Sequence, residues 1–212
     1  MAVCSVAAAP AAQAVEPTLV TCSEKALVDA VKAANLAGGG NLILAPFCTY
    51  SLTSAHSSGG AGGPAGLPNI TTPISMTGLA TDITRAPGVA PFRIIEVDGP
   101  SQNPEAHGQL TLTTVGISRG DAGIGVGGGI ANLGGTVTAT SASIHNNSAA
   151  YGGGIYSDTA LTLVATGVKD NTAGVDGGGI YKNAGSVVLL ADMFSGNTPN
   201  TCGANPPALP DC

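Results

Sequence analysis

The string Gly-Gly-Gly-Ile occurs three times, at Gly127–Ile130, Gly152–Ile155 and Gly177–Ile180, and the copies begin 25 residues apart. A fixed period of roughly 20 to 50 residues marks a chain that stacks one structural unit on the next. The segments after each copy align as TVTATSASIHNNS (136–148), ALTLVATGVKDNT (160–172) and SVVLLADMFSGNT (186–198). QLTLTTVGISRGD (109–121) is an earlier relative. Apolar residues recur at every second position, so these segments read as strands rather than helices. They fall into columns: Leu110, Val137, Leu161 and Val187; then Leu112, Ala139, Leu163 and Leu189; then Ile117, Ile144, Val168 and Phe194. Thr111, Thr138, Thr162 and Val188, with Thr113, Thr140, Val164 and Leu190, alternate with them and face outward. Strands this closely spaced leave no room for crossover helices. A parallel coil is predicted, each turn pairing with the next about 4.8 Å away. Glycine at the repeated corner supplies backbone angles that other residues avoid, and Ile130, Ile155 and Ile180 then point inward.

Upstream, NLILAPFCTYSLT, NITTPISMTG and FRIIEVDG read as less regular strands, and SSGGAGGPAGLP (57–68) as an excursion without structure of its own. SEKALVDAVKAANLAGGG is an amphipathic helix with Ser23 as cap, Leu27, Val28, Val31 and Ala34 on one face, and Gly38 as stop. A coil has exposed strand edges at both ends, and these need cover. The helix, 23–37, is predicted to cap the N-terminal end, and the Pro-rich segment 199–212 to close the other.

Composition narrows the function. The 212 residues suit a single domain, and 43% hydrophobic residues supply its core. Charged residues are 9%, aromatics 3%, and there is no Trp, so small and β-branched side chains must fill that core. The net charge of −6, with seven unclustered basic residues, argues against nucleic-acid binding. No apolar run approaches the roughly 20 residues of a membrane-spanning helix. Residues 1–14 end in the small-x-small pattern Ala12-Gln13-Ala14 and read as a signal peptide, truncated because its basic start is missing. Residues 15–212 then form a single secreted, monomeric domain. Loss of Cys4 leaves Cys22, Cys48, Cys202 and Cys212, an even set expected to form two disulfides in an exported chain. Cys22–Cys48 and Cys202–Cys212, one staple at each end, are the favoured pairs. No Cys-x-x-Cys spacing suggests a metal.

These repeats resemble those of polymorphic outer-membrane proteins, whose motifs are GG-x-I and F-x-x-N. The second motif is literal at Phe194–Asn197 and degenerate at Ile144–Asn147 and Val168–Asn171. More broadly the chain is similar to the pectate-lyase-like superfamily, in motifs over 110–198 and in architecture alone over 20–109. The resemblance implies an all-β, single-stranded, right-handed parallel β-helix: a solenoid of about 25 residues per rung, with an N-terminal capping helix. Such a scaffold hosts lyases, hydrolases, adhesins and ice binders, so function must come from a site.

Asn147, Asn171 and Asn197 share one repeat position, and Asn132 with Asn183 another; they read as internal ladders rather than a glycan-binding row. Tyr156 and Tyr181 follow the repeated Ile and face outward, either to stack on a sugar or to shield the glycine corner. The outward Thr columns are broken by Val164, Val188 and Leu190, so no flat hydroxyl face for ice is sustained. Catalysis needs converging acids and bases. Ser118, His145, Lys169 and Ser195 form one outward column, Arg119, Asn146, Asp170 and Gly196 the next, and Asp121 follows. Arg119, Asp121, His145, Lys169 and Asp170 are therefore the catalytic candidates, although they read better as a solvated, salt-bridged edge. They hold no paired carboxylates on neighbouring rungs. Asp158, Asp176 and Lys182 around the glycine corner are a weaker alternative, and His56 and His107 sit in loops. The expectation is a non-catalytic protein, with no cofactor or metal, that presents its surface to glycans or the cell envelope. The alternative is a polysaccharide lyase or glycoside hydrolase. There the resemblance would imply calcium for the lyase, and loops 54–68 and 99–109 would wall a cleft.

Overall fold

The computed structural model describes residues 16–58, 62–205, 209 and 212. The expected signal segment, with Cys4, lies outside the described residues, as do 59–61 of the glycine-rich excursion and part of the Pro-rich tail.

Among the described residues the fold is mainly β, with the single helix Glu24–Ala37, and the strands pair with one another in parallel; the antiparallel contacts are isolated bridges, Ser57 with Ala65 and Asp98 with Gly134. Eleven strands form one sheet, five a second and two a third. Registers match the predicted columns. Leu110, Val137, Leu161 and Val187 pair in line, as do Ile117, Ile144, Val168 and Phe194. In the five-stranded sheet Ile95, Ile130, Ile155, Ile180 and Cys202 form one row. The first three members of the Leu110 row and all four central isoleucines are buried, so the inner row of each sheet makes the core.

The glycine corners pack backbone on backbone. A methyl group on Gly153 or Gly154 would lie 2.6 Å from a carbonyl oxygen of the next Gly-Gly-Gly-Ile copy. Gly127, Gly152 and Gly177 also take φ of 61°, 63° and 66°. Two other rows of corners use the same left-handed region without a glycine signal. Ala80, Thr114, Ser141, Ala165 and Ala191 have φ between 50° and 57°; Arg119, Asn146 and Asp170 have 58°, 56° and 54°.

The helix is bounded as its sequence predicts. Ser23 Oγ accepts from the Ala26 N–H at 3.2 Å, and Gly38 stops the helix at φ 78°. Leu27, Val28, Val31 and Ala34 are buried against the N-terminal strands. Cys22–Cys48 ties the segment before the helix to the entrance of strand Thr49–Leu52. At the far end Cys202–Ala204 pairs with Ile180–Lys182, Cys202 is bonded to Cys212, and Leu209 packs on the core. Val187, Leu189 and Phe194 in the last layer remain half-buried.

Two segments differ from expectation. The excursion after residue 57 is not structureless: it folds down along the strand Ile95–Asp98 and the residues before it. Gly66 N–H donates to Arg93 O at 2.8 Å, Leu67 N–H to Ile94 O at 3.1 Å, and Ile70 N–H to Glu96 O at 2.8 Å. Ala65, Leu67 and Ile70 are buried, which offsets the cost of ordering it. The strand expected in NITTPISMTG extends instead over Pro73–Arg85, with a register irregularity between Thr77 and Thr81. No helix among the described residues is long and apolar enough to cross a membrane.

Candidate functional site

The strand Thr49–Leu52, the end of Pro73–Arg85, and the ends of Gln109–Ser118 and Ser143–His145 lie side by side. Side chains on successive rungs therefore stand in rows: Ser51, Thr84, Ser118, His145, Lys169 and Ser195 are in register. The ends of the first rungs enclose a depression of about 350 Å³, lined chiefly by Asp82, Thr84, Arg85, Ser118, Arg119 and His145. Gly116 is paired with Asp82, and its missing side chain makes room for the Asp82 carboxylate. Ser118 Oγ donates to Asp82 Oδ2 at 2.6 Å and lies 2.9 Å from Thr84 Oγ1. Asp82 Oδ1 is buried and has no hydrogen-bond partner. Arg85 is held by two carbonyls, its Nε donating to Arg119 O at 3.0 Å and its Nη1 to Val89 O at 3.1 Å. Its Nη2 lies 3.9 Å from Asp121 Oδ2. His145 Nδ1 is 3.2 Å from Ser143 Oγ. The Arg119 guanidinium makes no hydrogen bond or ion pair among the described residues. The hollow thus offers a free guanidinium, an imidazole and hydroxyls on adjacent rungs, with the Asp82 carboxylate tied to Ser118 at its floor.

Of the five predicted candidates, Arg119 and His145 line this depression and Asp121 joins it through Arg85. Lys169 does not: it borders a separate hollow with Ser141, Ala165 and Met193. Asp170 turns to the following rung, where its carboxylate lies against Gly196. Ser118, expected to face solvent, is only 3% exposed because Asp82 and Thr84 close over it. The left-handed backbone at Arg119 and Asp170 is not functional strain, since Asn146 and Gly196 share it in the same row of corners. Asp82 and Arg85 were absent from the sequence reading. Their signal is the match of TDITR (81–85) with VGISR (115–119), hidden because this rung lies 34 residues from its neighbour rather than 25.

The asparagine ladder is present. Asn147 Nδ2 donates to Asn171 Oδ1 at 3.0 Å, and Asn171 Nδ2 to Asn197 Oδ1 at 3.1 Å. The second proposed ladder is not: Asn132 is in register with Ser157 and Lys182, while Asn183 stands one position further and donates to Asp158 Oδ1 at 2.7 Å. Tyr156 and Tyr181 pair in register with rings stacked at 5.7 Å and 9°. Burial, then Asp158, raises the Tyr156 hydroxyl well above its ordinary pKa.

A paired acid also exists, unanticipated, in Glu96-Val97-Asp98. Residues two apart on a strand face the same way. Here Asn69 Nδ2 bridges the two carboxylates, donating to Glu96 Oε1 at 2.9 Å and Asp98 Oδ2 at 2.8 Å. Arg93 Nη1 donates to Glu96 Oε2 at 2.5 Å. Burial pushes the Glu96 carboxyl up to about 7 against the pull of Arg93, and Asp98 adds to the rise. Arg93 is fully buried, Glu96 is 2% exposed, and the backbone of 62–70 lies over them. The loop that was to wall a cleft instead seals these acids away. Among the described residues no three His, Cys, Asp or Glu side chains gather as a metal site. No protein-family model, no curated protein and no solved structure matches this chain.

Proposed function

We propose that this is a secreted, right-handed parallel β-helix protein that binds glycans of its surroundings or of a cell envelope on its lateral face, without cleaving them. The binding site is the depression of Asp82, Arg85, Ser118, Arg119 and His145. One observation carries the reading: polar side chains from neighbouring rungs line a surface hollow, while the close carboxyl pair Glu96 and Asp98 is sealed under the 62–70 segment. Sugars are held by hydrogen bonds to vicinal hydroxyls, and the free Arg119 guanidinium, the His145 imidazole and the hydroxyls of Thr49 and Ser51 supply donors and acceptors around the hollow. Parallel registers, the capping helix and the two disulfides support the β-helix and the oxidising compartment. Glycan-panel binding with wild type and Arg119→Ala tests the proposal. Binding that falls roughly tenfold, the loss of one good charge-assisted contact, supports it. Binding indifferent to Arg119→Ala rejects the site.

A second reading, a polysaccharide lyase or hydrolase, is favoured by Asp82, Arg119 and His145 lying together. New reducing ends or unsaturated products that vanish in Asp82→Asn would establish it in place of binding alone.

A further inference from the structure

The residues that flank the glycine corner change from rung to rung while the corner itself is constant. The three copies read Val126-GGGI-Ala131, Tyr151-GGGI-Tyr156 and Asp176-GGGI-Tyr181. The flanks are in register, with Val126, Tyr151 and Asp176 in one row and Ala131, Tyr156, Tyr181 and Gly203 in the other. Three of the four tyrosines of an aromatic-poor chain therefore meet at one place. Tyr181 stacks on Tyr156 on one side and meets Tyr151 edge-on at 5.0 Å and 60°. On its other side the next rung offers Gly203, which has no side chain to cover the ring. The Asp176 carboxylate borders that same space: a methyl on Gly203 would lie 2.5 Å from both of its oxygens.

Asp176 is oriented by neutral donors. Its Oδ1 accepts from Gly177 N–H at 2.9 Å and from Asn200 Nδ2 at 2.7 Å, and no cation pairs with it among the described residues. Lys182 follows Tyr181 but is buried, on the opposite side of its strand. Burial and the charge of Asp176 raise the Tyr181 hydroxyl above its ordinary pKa, so the ring stays neutral. A neutral, electron-rich ring face beside an unneutralised carboxylate attracts a positively charged group that is large and weakly hydrated.

We propose that Tyr181, Tyr151 and Asp176 form a binding site for an organic ammonium group, of the kind carried by quaternary amines and by unacetylated amino sugars. It lies at the glycine corner between the two-stranded and five-stranded sheets, with no residue in common with the depression around Arg119. Tyrosine fluorescence reads it directly, because there is no Trp and only Tyr50 lies elsewhere. The protein is titrated with choline, with a glucosamine oligomer, and with tert-butanol as an uncharged analogue. A saturable change with either ammonium ligand but not the alcohol is expected, and the better of the two identifies the source. Asp176→Asn keeps the acceptor oxygen for Gly177 and Asn200, and should bind roughly tenfold more weakly. Tyr181→Leu should lose the site, at an unfolding midpoint that shows the fold intact. No saturation with either ammonium ligand, equal binding of the alcohol, or unchanged affinity in Asp176→Asn overturns the proposal.

Discussion

Asn171 makes four side-chain hydrogen bonds in the interior. Its Oδ1 accepts from the Asn147 amide and backbone N–H at 3.0 Å each, and its Nδ2 donates to Asn197 Oδ1 and to Ile144 O. Asn171→Ala strands buried donors and acceptors on both neighbouring rungs, so unfolding by denaturant should show a loss of about 3 kcal/mol. A loss below about 1 kcal/mol would mean that the ladder is replaceable by relaxation. Glu96 gives a pH signature. Its folded pKa of about 7 stands above the ordinary 4.5, so between these values the unfolded chain releases a proton that the folded chain keeps. This stabilisation is complete below the unfolded value and is lost as pH rises through 7, with a slope of at most roughly 1.4 kcal/mol per pH unit for one proton. Glu96→Gln, whose amide stands in for the protonated acid, should flatten that slope in stability measured from pH 4 to 8. A slope unchanged in the variant would assign the titration to another group.

At the scale of elements, the corners decide what the coil tolerates. Gly153→Ala drives a methyl against the Thr172 and Gly178 carbonyls of the next turn, whose backbone is fixed by pairing, and should destabilise by about 1–3 kcal/mol. Gly167 begins a strand in open surroundings, with its nearest atom, Ala142 O, at 4.0 Å from an added methyl. Gly167→Ala should therefore be close to neutral, and thermal melts of the pair check the contrast. Reducing Cys22–Cys48 frees a loop of 26 residues at the capped end, and should lower stability by about 3 kcal/mol on the loop-entropy account. These elements were legible to different degrees. The helix, its caps and the strands after residue 109 were readable because period-two apolar spacing and capping chemistry act locally. The alanine and serine corners were not, since Ala80, Ser141 and Ala165 take left-handed angles under the pressure of pairing on both sides rather than from any preference of their own. The 62–70 segment was also missed, because its small residues carry no strand pattern and owe their order to the strand beneath.

The whole molecule is asymmetric along its length. The N-terminal end has the helix, a disulfide and the buried Arg93–Glu96–Asp98 cluster; the last rung leaves Val188, Leu190 and Met193 exposed by 44%, 52% and 71%. The candidate site straddles the irregular and regular parts. Arg119 and His145 come from repeats that announce themselves, and Asp82 and Arg85 from a rung whose long connection hid its alignment. That is why only half the depression could be read beforehand: columns are visible where the period holds and vanish where a loop is inserted. The most direct test takes the disulfide-intact protein through a panel of neutral and acidic polysaccharides, with and without calcium, reading binding and new chain ends in the same samples. The account predicts saturable binding without cleavage, weakened by Arg119→Ala; cleavage products that disappear in Asp82→Asn would contradict it.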